Sequence, residues 1–384
     1  MAIKREASKK NISRGGHLPV LDHLRWIAAG LVCENHIRAL LFRDYDSAHS
    51  QNVFESLFYF VTGYGGPSVV IFFVVSGFLV GGKALEILLS NPSSTKIERY
   101  FADRVSRIFI VAWPIVIISL ILFVLIQSFA PNAPIMVSDN WDAGWPRPIG
   151  GDTGVAIWIG TFFLVNEFAV KTIVIDGVLW SLAYEWYCYV LAIVFICVTS
   201  GKSLLIASVL GSWLLVVTTI GIVHENAVLH FTLLWLMGIF AYVACGFCEE
   251  RALKFAVPAL FVFLAGLASW RFFHFGDFFI ASITVVLCSQ ATAFQRVPFT
   301  KIGEKLAGFS FSLYVIHAPV IITSIVCLQA NGLLLQREKV SPKWMLFYVG
   351  LSMLAYAVAW LFANFTEFRT ALLRQKLRSY FAVR

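Results

Sequence analysis

The chain has 384 residues, 59% hydrophobic and 14% charged, with a mean hydropathy of +0.78; soluble domains hold roughly 45–50% apolar and about 25% charged residues, so a soluble globular protein is excluded. The net charge of +8 would suggest nucleic acid in a soluble domain, but the basic residues collect in short hydrophilic joints and at both ends, as in loops on the inner side of a membrane. The expected class is therefore an all-α polytopic membrane protein whose partner is the lipid bilayer and not nucleic acid.

Residues 1–17 are a basic tail with Lys4, Arg5, Lys9, Lys10 and Arg14. The tail is like the start of a signal peptide, but the apolar run behind it is too long and too charged and lacks an A-x-A cleavage site, so that run is expected to remain as the first span. At about 20 residues per crossing helix, the apolar runs 18–42, 58–82, 108–130, 178–199, 204–223, 228–247, 255–273, 277–294, 306–328 and 345–366 read as spans. Residues 154–168 are short and lie in an irregular stretch, 131–177, rich in Pro, Gly, Asp and Trp; they read as re-entrant or interfacial. Ten spans place both basic ends on the cytoplasmic side of an inner membrane, together with the joints 83–107 and 295–305; eleven would not. No repeat, low-complexity segment or soluble domain is found, so one transmembrane domain, 18–366, is expected between basic cytoplasmic tails 1–17 and 367–384.

Cysteine usage points away from a disulfide framework, because the cysteines lie mostly inside apolar runs. Cys245 and Cys248 form a C-x-x-C, but no second ligand pair completes a zinc site, and no metal is expected.

The first span, LDHLRWIAAGLVCENHIRALLF, carries Asp22, Arg25, Glu34, His36 and Arg38. Eleven residues at about 100° each return Arg25 and His36 to within about 20° on one helix face, with Asp22 a turn below. The small residues Ala28, Ala29 and Val32 lie between them. Glu34 faces the other way with Arg38 at i+4, and the two are expected to pair. An Arg or Asp near a bilayer centre costs about 2.5–3.5 kcal/mol, so the stripe is expected to face a protein interior or a wet cavity.

Three further stretches have this character. Ser76 and Gly77 in FFVVSGF give the second span a small, close-packing surface. WSLAYE opens the fourth span with Trp180 and with Ser181 and Glu185 one turn apart; Ser310, Tyr314 and His317 share a face of the ninth. Counted from the span ends, His36 and Glu185 both lie roughly 10 Å below the outer surface and are expected to meet. Arg25 belongs to the inner third, beside the joint 83–107.

In the same order along the chain, LDHLRWIAAGLVCENH, FFVVSGFLV, RVSRI, WSLAYEWY and FSFSLYVIHAP resemble the successive motifs of the membrane acyltransferase-3 family, the integral acyltransferases of bacterial glycans. The chain departs from the usual pattern at His23 and Trp26, where glycine is common, and at Pro114, which comes late after the basic motif. No SGNH-type hydrolase domain is found, so acceptor handling is expected of the membrane domain or a partner.

The resemblance implies transfer of an acyl group, commonly acetyl, from a cytosolic acyl-CoA (acetyl-CoA) to a hydroxyl of a glycan or glycolipid such as lipopolysaccharide or exopolysaccharide; these are the expected partners, and no permanently bound cofactor is implied. Arg99, Arg104 and Arg107 would hold donor phosphates through bidentate contacts. His36 is the implied base, since imidazole titrates near neutral pH, and Glu185 would orient it as a carboxylate does in hydrolytic triads. Asp22, Arg25, Ser76, Trp180, Ser181, Tyr314 and His317 complete the expected binding set. Secondary transport is the competing reading, with Arg25, His36, Glu185 and His317 as a proton or substrate path, but it calls for inverted repeats and paired broken helices, which are not found. A non-catalytic scaffold gives no reason for the buried stripe.

Overall fold

A computed structural model describes residues 18–45, 52–137, 149–151, 154–223, 227–248, 252–294 and 298–382. The protein is 82% helical, with no strands among the described residues. The first helix, α1 (Pro19–Leu41), starts on a proline that fits a first helical turn. It is followed by α2 (Val53–Thr62), α3 (Gly65–Ser76), a π-helical turn at Gly77–Gly81 and α4 (Gly82–Leu89), which together form one apolar element. The long α5 (Ser94–Phe129), the short α6 (Val155–Phe162), then α7 (Leu179–Ser200), α8 (Leu204–Val223), α9 (Val228–Cys248) and α10 (Ala252–Phe273) come next. The chain continues through α11 (Asp277–Cys288), α12 (Thr300–Ala307), α13 (Ser310–Ala330), α14 (Pro342–Phe365) and α15 (Thr370–Ala382).

Among the described residues, eight helical elements are long and apolar enough to cross a membrane. The charges of α1 keep it outside that set although it has 23 residues. Its place in the bundle is nonetheless central, between α3, α13 and α14.

Several boundaries differ from expectation. The expected span 277–294 is a helix of only 12 residues, α11, after which Ser289 donates to the Val286 carbonyl and Gln290 to Ser289. These side chains compete with the backbone ladder and end the helix. The joint 83–107 is helical on both sides of a break at Ser90 to Ser93, where Asn91 adopts φ +55° and Ser93 caps α5 by accepting from the Lys96 amide. Its arginines therefore stand on a helix of 36 residues, roughly 54 Å at 1.5 Å per residue, which extends past a bilayer core. Residues 370–382, read from sequence as part of a tail, fold as α15 along α5, with Arg378 paired to Asp103 at 2.7 Å.

The irregular stretch before α7 turns into the bundle. Helix α6 has eight residues, about 12 Å, too short to cross. Beyond it Asn166 donates to Thr172 and to the Leu179 carbonyl, and the turn Val174–Asp176 packs on α13. Asp176 is fully buried and accepts from Ser119 at 3.4 Å. This inward turn starts α7 inside the protein, so its first residue is not a measure of membrane depth.

The glycines of the second element set the closest packing. A Cβ on Gly77 would overlap the Trp235 carbonyl, and one on Gly238 the Val74 carbonyl, so α3 with its π turn meets α9 backbone to backbone, as small residues allow in membrane helices. The π turn carries Ser76 at its entry; such turns are often found at functional sites.

Candidate functional site

A cavity lies among α1, α3, α5, α7 and α13. Its lining includes Arg25, Ser76, Arg107, Ser181, Glu185, Ser310 and Tyr314, all singled out from the sequence, along with Tyr189 and an apolar wall that includes Phe72, Phe73 and Phe311. Of the charged stripe of α1, Arg25 lines this space. Asp22 and Arg25 approach to 3.6 Å, and Arg25 also donates to the Ala307 carbonyl at 3.5 Å.

The acidic and hydroxyl groups of the cavity are connected. Ser76 donates to Glu185 at 3.0 Å and accepts from the Trp235 indole at 3.3 Å, while Tyr189, one turn on from Glu185, donates to the same carboxylate oxygen. Arg107 stands within electrostatic reach of Glu185, Glu367 and Asp22. The Ser181 and Tyr314 hydroxyls are 2.7 Å apart, although Ser181 is near the start of α7 and Tyr314 near the start of α13; the inward turn before α7 makes that meeting possible.

His36 meets His317, and not Glu185. The His36 Nδ1 and His317 Nε2 atoms are 2.8 Å apart with the rings stacked at 5.1 Å between centroids. Glu185 instead accepts from Ser76 and Tyr189, so the expected His36–Glu185 contact is not formed. The expectation of a meeting at equal depth fails because α7 does not begin at the membrane surface. The dyad's tautomers follow from one carbonyl. His317 Nδ1 is 3.0 Å from the Leu313 oxygen, which only accepts, so Nδ1 carries the proton and Nε2 a lone pair. His36 Nδ1 must then donate to that lone pair, and His36 Nε2 is left as the basic nitrogen. The Tyr314 ring, on the cavity wall, lies edge-on to His317 at 6.1 Å, which sets the dyad one aromatic ring from the cavity.

The expected Glu34–Arg38 pair is also absent. Glu34 accepts from Ser352 of α14 at 2.8 Å, and Arg38 donates to Asn35 at 3.0 Å and lies over the Tyr59 ring; tertiary partners on two sides of α1 outcompete a pairing worth about 0.2–0.5 kcal/mol. Of the basic triplet, Arg107 reaches the cavity, Arg104 stacks over Tyr100 and Tyr189, and Arg99 is exposed away from it. Trp180 packs against Tyr184 and Phe231, outside the lining. Cys245 is buried and unbridged, and among the described residues no group of three His, Cys, Asp or Glu could hold a metal.

Three site residues do not emerge from the sequence reading. Tyr189 continues the Ser181–Glu185 face by one more turn, so a signal for it exists. Trp235 and Glu367 carry no local signal: Glu367 lies beyond the last span, yet it accepts from the Ser312 amide and hydroxyl at 3.0 Å each and lies within electrostatic reach of Arg25.

A family model described as an acyltransferase domain, that of the acyltransferase-3 family, matches residues 18–364. No curated protein matches. No solved structure matches either.

Proposed function

The chain belongs to the membrane acyltransferase-3 family, and from that premise we propose that it moves an acyl group, acetyl in the simplest case, from acyl-CoA to a hydroxyl of a cell-surface or exported glycan or glycolipid, in an inner membrane with both termini cytoplasmic. The observation that carries the reading is the histidine dyad beside a cavity with arginines at one end: a base with a defined lone pair next to a space that admits an anionic donor.

In the proposed reaction His36 Nε2 takes the proton of the acceptor hydroxyl as its oxygen attacks the thioester carbonyl. The carbon–sulfur bond breaks and His36 passes the proton on to the leaving thiolate, giving an ester and free coenzyme A and restoring the neutral imidazole. His317 acts through its Nε2 lone pair, which keeps His36 in the productive tautomer and, at its own position, accepts the imidazolium's second N–H. Arg25 and Arg107, with Arg104 stacked behind, would attract the donor's phosphates. Tyr189, Ser76 and Glu185 form a hydrogen-bonded wall along the donor's path.

The test is acyl transfer by the purified full-length protein from radiolabelled acetyl-CoA, together with NMR of the cell's glycans for acetyl esters. His36→Ala is expected to abolish both at normal protein levels. Unchanged acetylation would sink the assignment, and transport of an intact solute without thioester turnover would favour the transporter.

A further inference from the structure

At the far end of α1 from Arg25, two guanidinium groups converge on Tyr59, one over its ring and one at its backbone carbonyl. Arg38 lies with its Cζ 5.2 Å from the centre of Tyr59, donates to Asn35, and keeps a buried Nε with no hydrogen-bond partner. Arg271, from the last turn of α10, donates to the Tyr59 carbonyl at 3.4 Å. Its guanidinium fills the space beside Gly63, where a Cβ would come within 2.9 Å of Cζ, so the absence of a side chain at residue 63 is what admits the arginine.

The two charges lie within electrostatic reach of each other, and among the described residues neither takes part in an ion pair. Asp44, the nearby carboxylate, is engaged on both oxygens by Arg337 at 3.0 Å. Asp44 still acts on Arg38 through space, but half-buried like charges with no direct carboxylate partner repel, and such a pair is stabilised by an anion that bridges them. Orientation in the membrane does not account for them. One membrane face takes the positive bias, and in this chain that face holds the joint 83–107 and α15, at the other end of α1.

Two neighbours narrow the ligand. Tyr45, 38% exposed, lies tilted against Tyr59 at 5.2 Å between centroids, giving aromatic faces of the kind sugar rings pack against. Arg38, two residues on from His36 in α1, lies within electrostatic reach of the proposed base. Resting on the acyl-transfer reading, we infer that Arg38 and Arg271, which meet at Tyr59, form an anion site for the acceptor, and that the acceptor is a sugar unit bearing a carboxylate or phosphate.

The experiment is direct binding to the purified full chain in detergent, read by calorimetry, with glucuronate, glucose 6-phosphate and glucose as probes. Saturable binding of glucuronate or glucose 6-phosphate, absent for glucose, is expected to weaken at least tenfold in Arg38→Gln and in Arg271→Gln at unchanged melting temperature, and to recover partly in Arg271→Lys. The response of one anionic probe and not the other identifies the source of the charge. Equal binding of glucose, binding that survives both glutamine substitutions, or no sugar binding at all would overturn the site. Should the glutamine variants not fold, competition between the bound sugar and inorganic phosphate in the wild type decides: competition supports the site, and independence overturns it. The readout needs no turnover, so a chain that binds anionic sugars but transfers no acyl group would count against the acyl-transfer reading alone.

Discussion

His317 shows how much of a site's chemistry can hang on one backbone carbonyl. The Leu313 oxygen takes the His317 Nδ1 proton, which leaves a lone pair facing His36 and so decides which His36 nitrogen is basic. Replacement by phenylalanine keeps the ring and its stacking but removes the acceptor. His317→Phe is therefore expected to lower kcat by about 10²-fold or more with the KM for acyl-CoA nearly unchanged, whereas His317→Gln, which retains an accepting oxygen, should recover part of the loss. Steady-state kinetics and the pH profile of both variants check this; an equal loss in the two would reduce His317 to a packing residue.

At the scale of elements, the junction of α3, the π turn and α9 holds Ser76 against Glu185 and Trp235. The backbones touch at Gly77 and Gly238, where a Cβ has no room. Overpacking of this kind costs about 1–3 kcal/mol, so Gly77→Ala is expected to lower the melting temperature in detergent and also to weaken activity, because the displaced α9 would withdraw Trp235 from Ser76. A variant that melts like the wild type would show that the junction yields. By contrast Gly66, with nothing within 4 Å of its Cβ position, should accept alanine without loss.

For the whole molecule, the two ends of the bundle differ in kind. One gathers the arginines of α5 and the helix α15, whose Arg374 and Arg378 dock on Asp103 of α5; the other gathers Arg38, Arg271 and Tyr59. Helix α13 alone separates residue 305 from residue 337, so cysteines introduced in a cysteine-free background as Lys305→Cys and Arg337→Cys should react with an impermeant thiol reagent from opposite sides of the membrane. With Lys305→Cys shielded in intact cells, the cytoplasmic orientation proposed for the termini holds; labelling of both from one side would overturn it.

Residue order alone carried the class, most of the apolar spans and the polar helix faces that hold Arg25, Ser181, Glu185 and Tyr314, because hydropathy and helical phase are local properties that survive folding; that Arg25 and Glu185, read from sequence at different depths, line one cavity was decided by the tertiary structure. The short α11, the helical joint before α5 and the partners of the ionisable groups were not legible in it. Glu34 found Ser352, Arg38 found Tyr59, and His36 found His317, residues up to 318 positions apart. Such pairings depend on how helices rotate and slide against each other, and on the inward turn at Val174–Asp176 that shifts α7 along its axis. The sequence by itself determined which faces of the helices are polar; only the tertiary structure decided which polar group meets which, since a displacement of one helical turn, about 5.4 Å, exchanges every hydrogen-bond partner while leaving the pattern along each helix the same.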